Sequence, residues 1–340
     1  MGKVLNQIFC FFSEYAFLVL LFLLAGAAFA RAQNGTPETP ISTINTEIKQ
    51  KEFDALKKYG SYLFKLGNCK DCHTEKNGAL LSGGYKIETA FGNFYGPNIT
   101  ADKDTGIGLW SDQDFITALR RGVAPSGRNY YPAFPYSSYS KLTDSDMLAL
   151  KAYIFSLPAI RKESIPHEIK FPYSVREFVN VWKWSNFSYA GKYTEADFIK
   201  ARGPFQLIQT KDWEWNRGAY LVEGLMHCTQ CHSPRDKLGN FKWNEWMSGS
   251  PLFGSKKGAP NITQSKKIGV GSWTASDWET FLTEGVSANG TEVGGKMGKI
   301  IEDSTSRMTR ADLRASIKYL MSIKAVETTE LNKPDTGKKE

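Results

Sequence analysis

Cys69-Lys70-Asp71-Cys72-His73 and Cys228-Thr229-Gln230-Cys231-His232 are the two stretches that decide how this chain is read. Each is C-x-x-C-H, the pattern at which haem c is attached. Two thiols three positions apart reach the two vinyl groups on one edge of a porphyrin. The adjacent imidazole then turns to the iron, and one iron face stays open for a sixth ligand. Competing readings fail on spacing and context. A zinc ribbon needs its pairs about 15–20 residues apart, whereas Cys69 and Cys228 are 159 positions apart. A thioredoxin-like pair needs a βαβ setting, and no alternating strand pattern flanks either motif.

The remaining cysteine, Cys10, lies in an apolar N-terminal region that reads as an export signal. The apolar run 15–30 precedes Ala30-Arg31-Ala32, small residues where a signal peptidase reads. The run is shorter than the roughly 20 residues that span a bilayer. Residues 1–32 are therefore expected to be a cleaved signal peptide, with an uncleaved anchor and membrane association as the alternative. The expected location is the periplasm, at the face of the inner membrane. An exported chain ordinarily uses cysteines for disulfides. Here all four thiols beyond Cys10 belong to the two motifs, which implies two covalently bound haem c groups. The net charge of +8 is scattered, and no arginine-rich run marks nucleic-acid binding.

An internal repeat ties the halves together. Gly96-Pro97-Asn98-Ile99-Thr100 recurs 163 positions later as Ala259-Pro260-Asn261-Ile262-Thr263. Trp110 and Trp273, Asp114-Phe115 and Asp277-Trp278, and Gly122-Val123 and Gly285-Val286 keep the register. The same register sets Phe134 against Met297. Met297 lies in Gly294-Gly295-Lys296-Met297-Gly298, read as a flexible loop that brings its thioether to the second haem iron, where Met/His ligation raises the reduction potential. The metal ligands expected are thus His73, His232 and Met297, and Phe134 leaves the first iron without a methionine. Met147 falls on an amphipathic segment and reads as core. His167 is proline-flanked and reads as a surface residue. His227 is poorly placed for the first motif. An open sixth site is the preferred reading.

The length predicts about two domains. Helical spacing appears at 53–66 and 215–225, before the motifs. Thr143 with Asp146, and Thr309 with Asp312, mark the starts of a closing helix in each half. The glycines of the first helix in each half should let it cross the aromatic-bearing last helix closely. The expected fold is all-α: two tandem cytochrome c-like haem domains, 50–158 and 213–324. They are joined by an irregular aromatic- and proline-containing linker, 159–212, which reads as a spacer with a helix at 175–184. A polar tail, 325–340, is expected to be disordered.

Four segments carry a family resemblance: Gly96-Pro97-Asn98-Ile99-Thr100, Tyr131-Pro132-Ala133-Phe134-Pro135-Tyr136, Trp215-Asn216-Arg217-Gly218-Ala219-Tyr220-Leu221 and Ala259-Pro260-Asn261-Ile262-Thr263. With them, most of 55–323 resembles the cytochrome c subunits of membrane-associated periplasmic dehydrogenases acting on alcohols, gluconate and related sugars or aldehydes. The resemblance implies haem attachment at Cys69, Cys72, Cys228 and Cys231, axial histidines at His73 and His232, and a distal methionine at Met297. It implies electron transfer from a periplasmic dehydrogenase catalytic subunit to quinone, another cytochrome or an oxidase. Two departures stand out: the family commonly has a third haem domain, and its first-domain methionine is Phe134 here. No carboxylate pair or nucleophile constellation suggests catalysis by the chain itself. The rival expectation is a dihaem peroxidase-like enzyme with an open sixth site on the first haem.

Overall fold

The computed structural model describes residues 41–187, 193–255 and 258–327. The expected signal segment 1–32 and the tail from 328 lie outside the described residues. No helix among them is long and apolar enough to cross a membrane. The chain divides into two compact units, one ending at Glu52 and one beginning at Phe53. All contacts below belong to the second.

Each half repeats one plan. Helix α1 (Ile41–Leu66) leads into the short α2 (Cys69–His73). Helix α3 (Asp112–Arg121) starts with Ser111 and Asp114 in a reciprocal capping box and stops at Gly122, which is left-handed at φ 59°. The short α4 (Tyr136–Tyr139) and the closing α5 (Asp144–Phe155) follow. The linker contributes α6 (Glu177–Asn186), close to the expected 175–184. In the second half, α7 (Trp213–Ala219) runs on as a π turn, Tyr220–Leu225, into α8 (Thr229–His232). Then come α9 (Ala275–Glu284), with the matching Thr274/Asp277 capping box, α10 (Gly295–Asp303) and the closing α11 (Arg310–Leu320).

The all-α expectation is too strict; the chain is helix-rich with two small sheets. Strands β1 (Lys86–Thr89) and β2 (Gly92–Tyr95) form an antiparallel hairpin, and β3 (Glu168–Ile169) of the linker pairs with β2. Gly92, at φ 128°, makes this possible, because a Cβ there would strike the Glu168 carbonyl. A second pair, β4 (Ser250–Ser255) with β5 (Gly258–Ala259), lies in the other half.

The predicted helix crossings are present. Gly60 of α1 faces the Ala149 carbonyl of α5, and Gly218 of α7 faces the Ala315 carbonyl of α11, each so closely that a Cβ would overlap it. One apolar core serves both halves: Leu63, Leu66, Met147 and Leu150 join Leu221, Leu225, Leu313 and Leu320. The linker supplies Phe198 and Ile208 to that core while leaving Phe171, Phe178, Val181 and Trp184 exposed. It is thus a spacer in one part and an exposed aromatic face in another. The start of the tail is docked rather than loose: Val326 N–H donates to Thr263 Oγ1 at 3.1 Å, and its carbonyl accepts from Asn261 Nδ2 at 2.9 Å.

The two halves meet in a reciprocal exchange. Tyr62 of α1 donates to Asp312 of α11 at 2.6 Å, and Tyr220 donates to Asp146 of α5 at 2.5 Å. Both acids start a closing helix through backbone N–H bonds to Thr143 or Thr309, which frees their carboxylates for the other half. Arg217 clasps Asp312 with two bonds, at 2.8 and 2.9 Å. Burial alone would raise the Asp312 carboxyl, but the Arg217 and Tyr62 hydrogen bonds outweigh it and hold it below the usual carboxylate value. A depressed folded pKa stabilises the fold above the ordinary carboxylate range and loses that contribution as pH falls through the folded value. Asp312→Asn is expected to cost about 1.5–3 kcal/mol at neutral pH. Urea unfolding of both proteins should show that gap shrinking in acid; a gap constant with pH would contradict the assignment.

Candidate haem attachment sites

The two motifs present the same arrangement. His73 Nδ1 lies 2.8 Å from the Pro97 carbonyl, and His232 Nδ1 lies 2.9 Å from the Pro260 carbonyl. The carbonyl accepts, so Nδ1 carries the proton and Nε2 keeps its lone pair for a metal. Burial lowers both imidazoles below the ordinary histidine value, favouring the neutral ligand form. The two proline carbonyls come from the repeated Pro-Asn-Ile-Thr segments. Asn98 Oδ1 accepts from Thr100 N–H at 2.9 Å, and Asn261 Oδ1 from Thr263 N–H at 2.8 Å, so each asparagine braces the turn that aims the carbonyl.

All four thiols are free. Burial pushes those of Cys69 and Cys228 up to about 12, so neither is poised as a thiolate nucleophile. This is the opposite of the lowered thiol pKa that a thioredoxin-like pair requires. It leaves two neutral thiols beside a preoriented imidazole at each motif, the donor set that haem c attachment requires.

The structure also brings the motifs toward one another, which spacing alone did not reveal. Burial raises the Cys72 thiol to about 11, with smaller contributions from Asp71 and from Cys231 of the other motif. Lys299 Nζ of α10 pairs with Asp71 inside the first motif at 2.7 Å, and Lys70 pairs with Asp303 of α10 at 3.1 Å. On the other side, Gln230 inside the second motif donates to Ser137 and Ser138 of α4 at 3.1 and 2.9 Å. Each half thus ties the segment after its ligand loop to the attachment motif of the other.

Met297 is in the first turn of α10, half-buried, and not in a flexible loop. Gly294 caps that helix, and the Gly298 N–H closes its first turn on the Gly294 carbonyl at 3.2 Å. The glycines expected to loosen the segment instead start a helix whose far end is pinned by the two ion pairs above. Phe134, the register partner of Met297, sits among Tyr130, Tyr136 and Tyr139, with ring centroids 5.7, 6.4 and 5.6 Å away. Met147 is fully buried in the core, as its helical position suggested. His167 is exposed; its Nδ1 accepts from the Tyr95 N–H at 3.2 Å and its ring rests on Phe94 at 5.3 Å. His227, just before the second motif, lies 5.5 Å from the Tyr139 ring of the first half. Phe134 and its tyrosines thus occupy the register position that corresponds to Met297.

Motif chemistry, histidine orientation and the repeated helical frame define a c-type cytochrome. No protein family model matches the chain. Among curated proteins, it is 35% identical over 274 residues to a dihaem cytochrome c-type protein of Cereibacter sphaeroides, covering 79% of this chain and 86% of that one. It is 35% identical over 313 residues to the fructose dehydrogenase cytochrome subunit of Gluconobacter japonicus, and 36% identical over 286 residues to the gluconate 2-dehydrogenase cytochrome c subunit of Pantoea cypripedii. Those alignments span 91% and 82% of this chain but only 58% and 62% of the relatives' length. The chain belongs to the family of c-type cytochromes that includes the cytochrome subunits of these dehydrogenases and carries covalently bound haem c. The peroxidase expectation gains no support from these relatives.

Proposed function

We propose that this chain carries two haem c groups and passes electrons from a separate dehydrogenase subunit to a respiratory acceptor. In this reading Cys69, Cys72 and His73 hold one group and Cys228, Cys231, His232 and Met297 hold the other. The tandem units are 50–158 and 213–324, with 159–212 between them. The chain works in the periplasm at the inner-membrane face, and quinone, another cytochrome or an oxidase takes the electrons. Bound haem supplies one-electron chemistry at a potential set by its axial ligands and surroundings. The chain's own work is to anchor, orient and exclude water. The observation that carries the reading is the doubled histidine geometry, each imidazole tied by Nδ1 to a proline carbonyl beside a free thiol pair.

The test is expression in a host that attaches haem c, followed by intact mass and haem quantification. Two haems per chain are expected; a bare polypeptide mass would overturn the reading. Met297→Ala should lower the potential of one haem and leave the other in place, since methionine ligation raises potential. Unchanged potentials would remove Met297 from the ligand set. Mixing the reduced partner dehydrogenase with the oxidised chain should reduce both haems within a turnover.

A further inference from the structure

The internal repeat slips by one residue just before the second motif. Gly60-Ser61-Tyr62-Leu63 precedes Gly218-Ala219-Tyr220-Leu221 by 158 positions, yet Cys69 precedes Cys228 by 159. The extra residue falls where the chain forms its π turn, Tyr220–Leu225. A π turn inside a helix absorbs such an insertion, and these turns concentrate at functional sites.

The turn carries an acid into the interior. Glu223 is 1% exposed. One carboxylate oxygen accepts from Trp246 Nε1 at 3.0 Å and from the Tyr319 hydroxyl. The other, Oε2, is buried with no partner. A buried carboxylate oxygen left without a donor is costly when ionised, and protonation relieves that cost. Four titratable groups face it from the surrounding elements. Lys141, 2% exposed, reaches in from between α4 and α5 of the first half and donates to the Ile199 carbonyl at 3.1 Å. Arg202 of the linker lies over Phe187 and Trp243. Tyr319 comes from α11, and Cys228 is the attachment thiol that feels the Glu223 charge. Burial drives the Glu223 carboxyl upward against the opposing pull of Lys141, Arg202 and the Tyr319 and Trp246 hydrogen bonds, and it drives the Lys141 ammonium downward.

We propose that Glu223 is the proton site coupled to reduction at the second attachment motif, taking up a proton when that site gains an electron and releasing it on oxidation. This rests on the two-haem reading above. The step balances: the electron comes from the donor dehydrogenase, the proton from solvent, and one O–H bond forms at Oε2. Oxidation breaks that bond and returns the proton. An electron added near a carboxylate in a low-dielectric interior disfavours the second negative charge, and this couples the two events. The first half has no counterpart, because Lys65 or Phe64 stands at the corresponding position there.

The experiment is a potentiometric titration of the haem-loaded chain at a series of pH values, for native protein and Glu223→Gln. In the native protein, the potential of the second haem should fall as pH rises, by at most about 59 mV per tenfold change in proton activity for a one-electron couple. In Glu223→Gln that potential should be higher at alkaline pH and nearly flat, with the first haem unchanged. Equal slopes in both proteins, or a flat native profile, would overturn the proposal. Reduction-triggered infrared difference spectra of the native chain, labelled with carbon-13 glutamate, decide the matter without the variant. A carboxylic-acid band that appears on reduction and shifts with the label supports Glu223, and its absence rejects it. Two haems with a flat native profile would leave the electron-transfer reading standing; a chain without haem would overturn both.

Discussion

Cys228→Ala combined with Cys231→Ala is expected to remove one haem from each chain and unfold the second half. His232 cannot hold the group alone through purification, because attachment depends on the two thioether bonds. The lost volume exceeds that of any single side chain, so the loss of stability should exceed the about 2–5 kcal/mol typical of truncating one large buried residue. The damage should not stop at one half. Leu221, Leu225 and Leu320 belong to the same core as Leu63 and Leu66, and the Tyr62–Asp312 bond crosses between halves. Intact mass should fall by one haem, and thermal unfolding should begin at markedly lower temperature. Retention of two haems, or native-like melting with one, would contradict the shared core.

Gly218→Ala and Gly60→Ala should both be strongly damaging, although among the described glycines Gly96 is tighter still, its Cβ overlapping the Cys72 carbonyl oxygen. A Cβ at Gly218 would overlap the Ala315 carbonyl and crowd Tyr319 Cβ at 2.8 Å. Neither is the flexible end of a side chain, so α7 and α11 must separate. Overpacking of this kind costs typically about 1–3 kcal/mol, occasionally more. The gain in helix propensity of Ala over Gly, about 1 kcal/mol, does not cancel it. Gly224→Ala is the control. Its nearest neighbour would be Lys141 Cβ at 3.5 Å, an ordinary contact. Denaturant midpoints for the two variants should differ clearly, and equal midpoints would mean the crossing is less tight than the backbone indicates. Separation of α11 would also pull Tyr319 from Glu223, so Gly218→Ala should steepen or shift the pH dependence of the second haem.

The two C-x-x-C-H motifs were legible because their pattern is local. A C-x-x-C-H motif needs only five consecutive residues, and the helix starts at Thr143 and Thr309 need only four. The glycine crossings were legible because glycine weakens a helix interior, so its recurrence at one helical position marks a close approach of backbones. The strands were missed because β1, β2 and β3 are two to four residues long, and β3 pairs only through a linker far away in sequence. Met297 was assigned to a loop because its neighbours are glycines. The ion pairs Lys299–Asp71 and Lys70–Asp303 join α10 to a motif more than two hundred residues earlier, beyond the reach of any local pattern. The role of Glu223 was latent in the one-residue slip of the repeat, but a slip alone does not say which way a side chain turns.

Sequence by itself determined the cofactor chemistry, the doubled plan and the asymmetry of Phe134 and Met297, since covalent attachment and register are properties of order along the chain. Tertiary structure alone decided how the halves face each other. The Tyr62–Asp312 and Tyr220–Asp146 exchange, the ion pairs that tie α10 to the first motif and the burial of Glu223 depend on desolvation and on contacts between distant segments. Those quantities have no value until the chain has folded and water has been excluded.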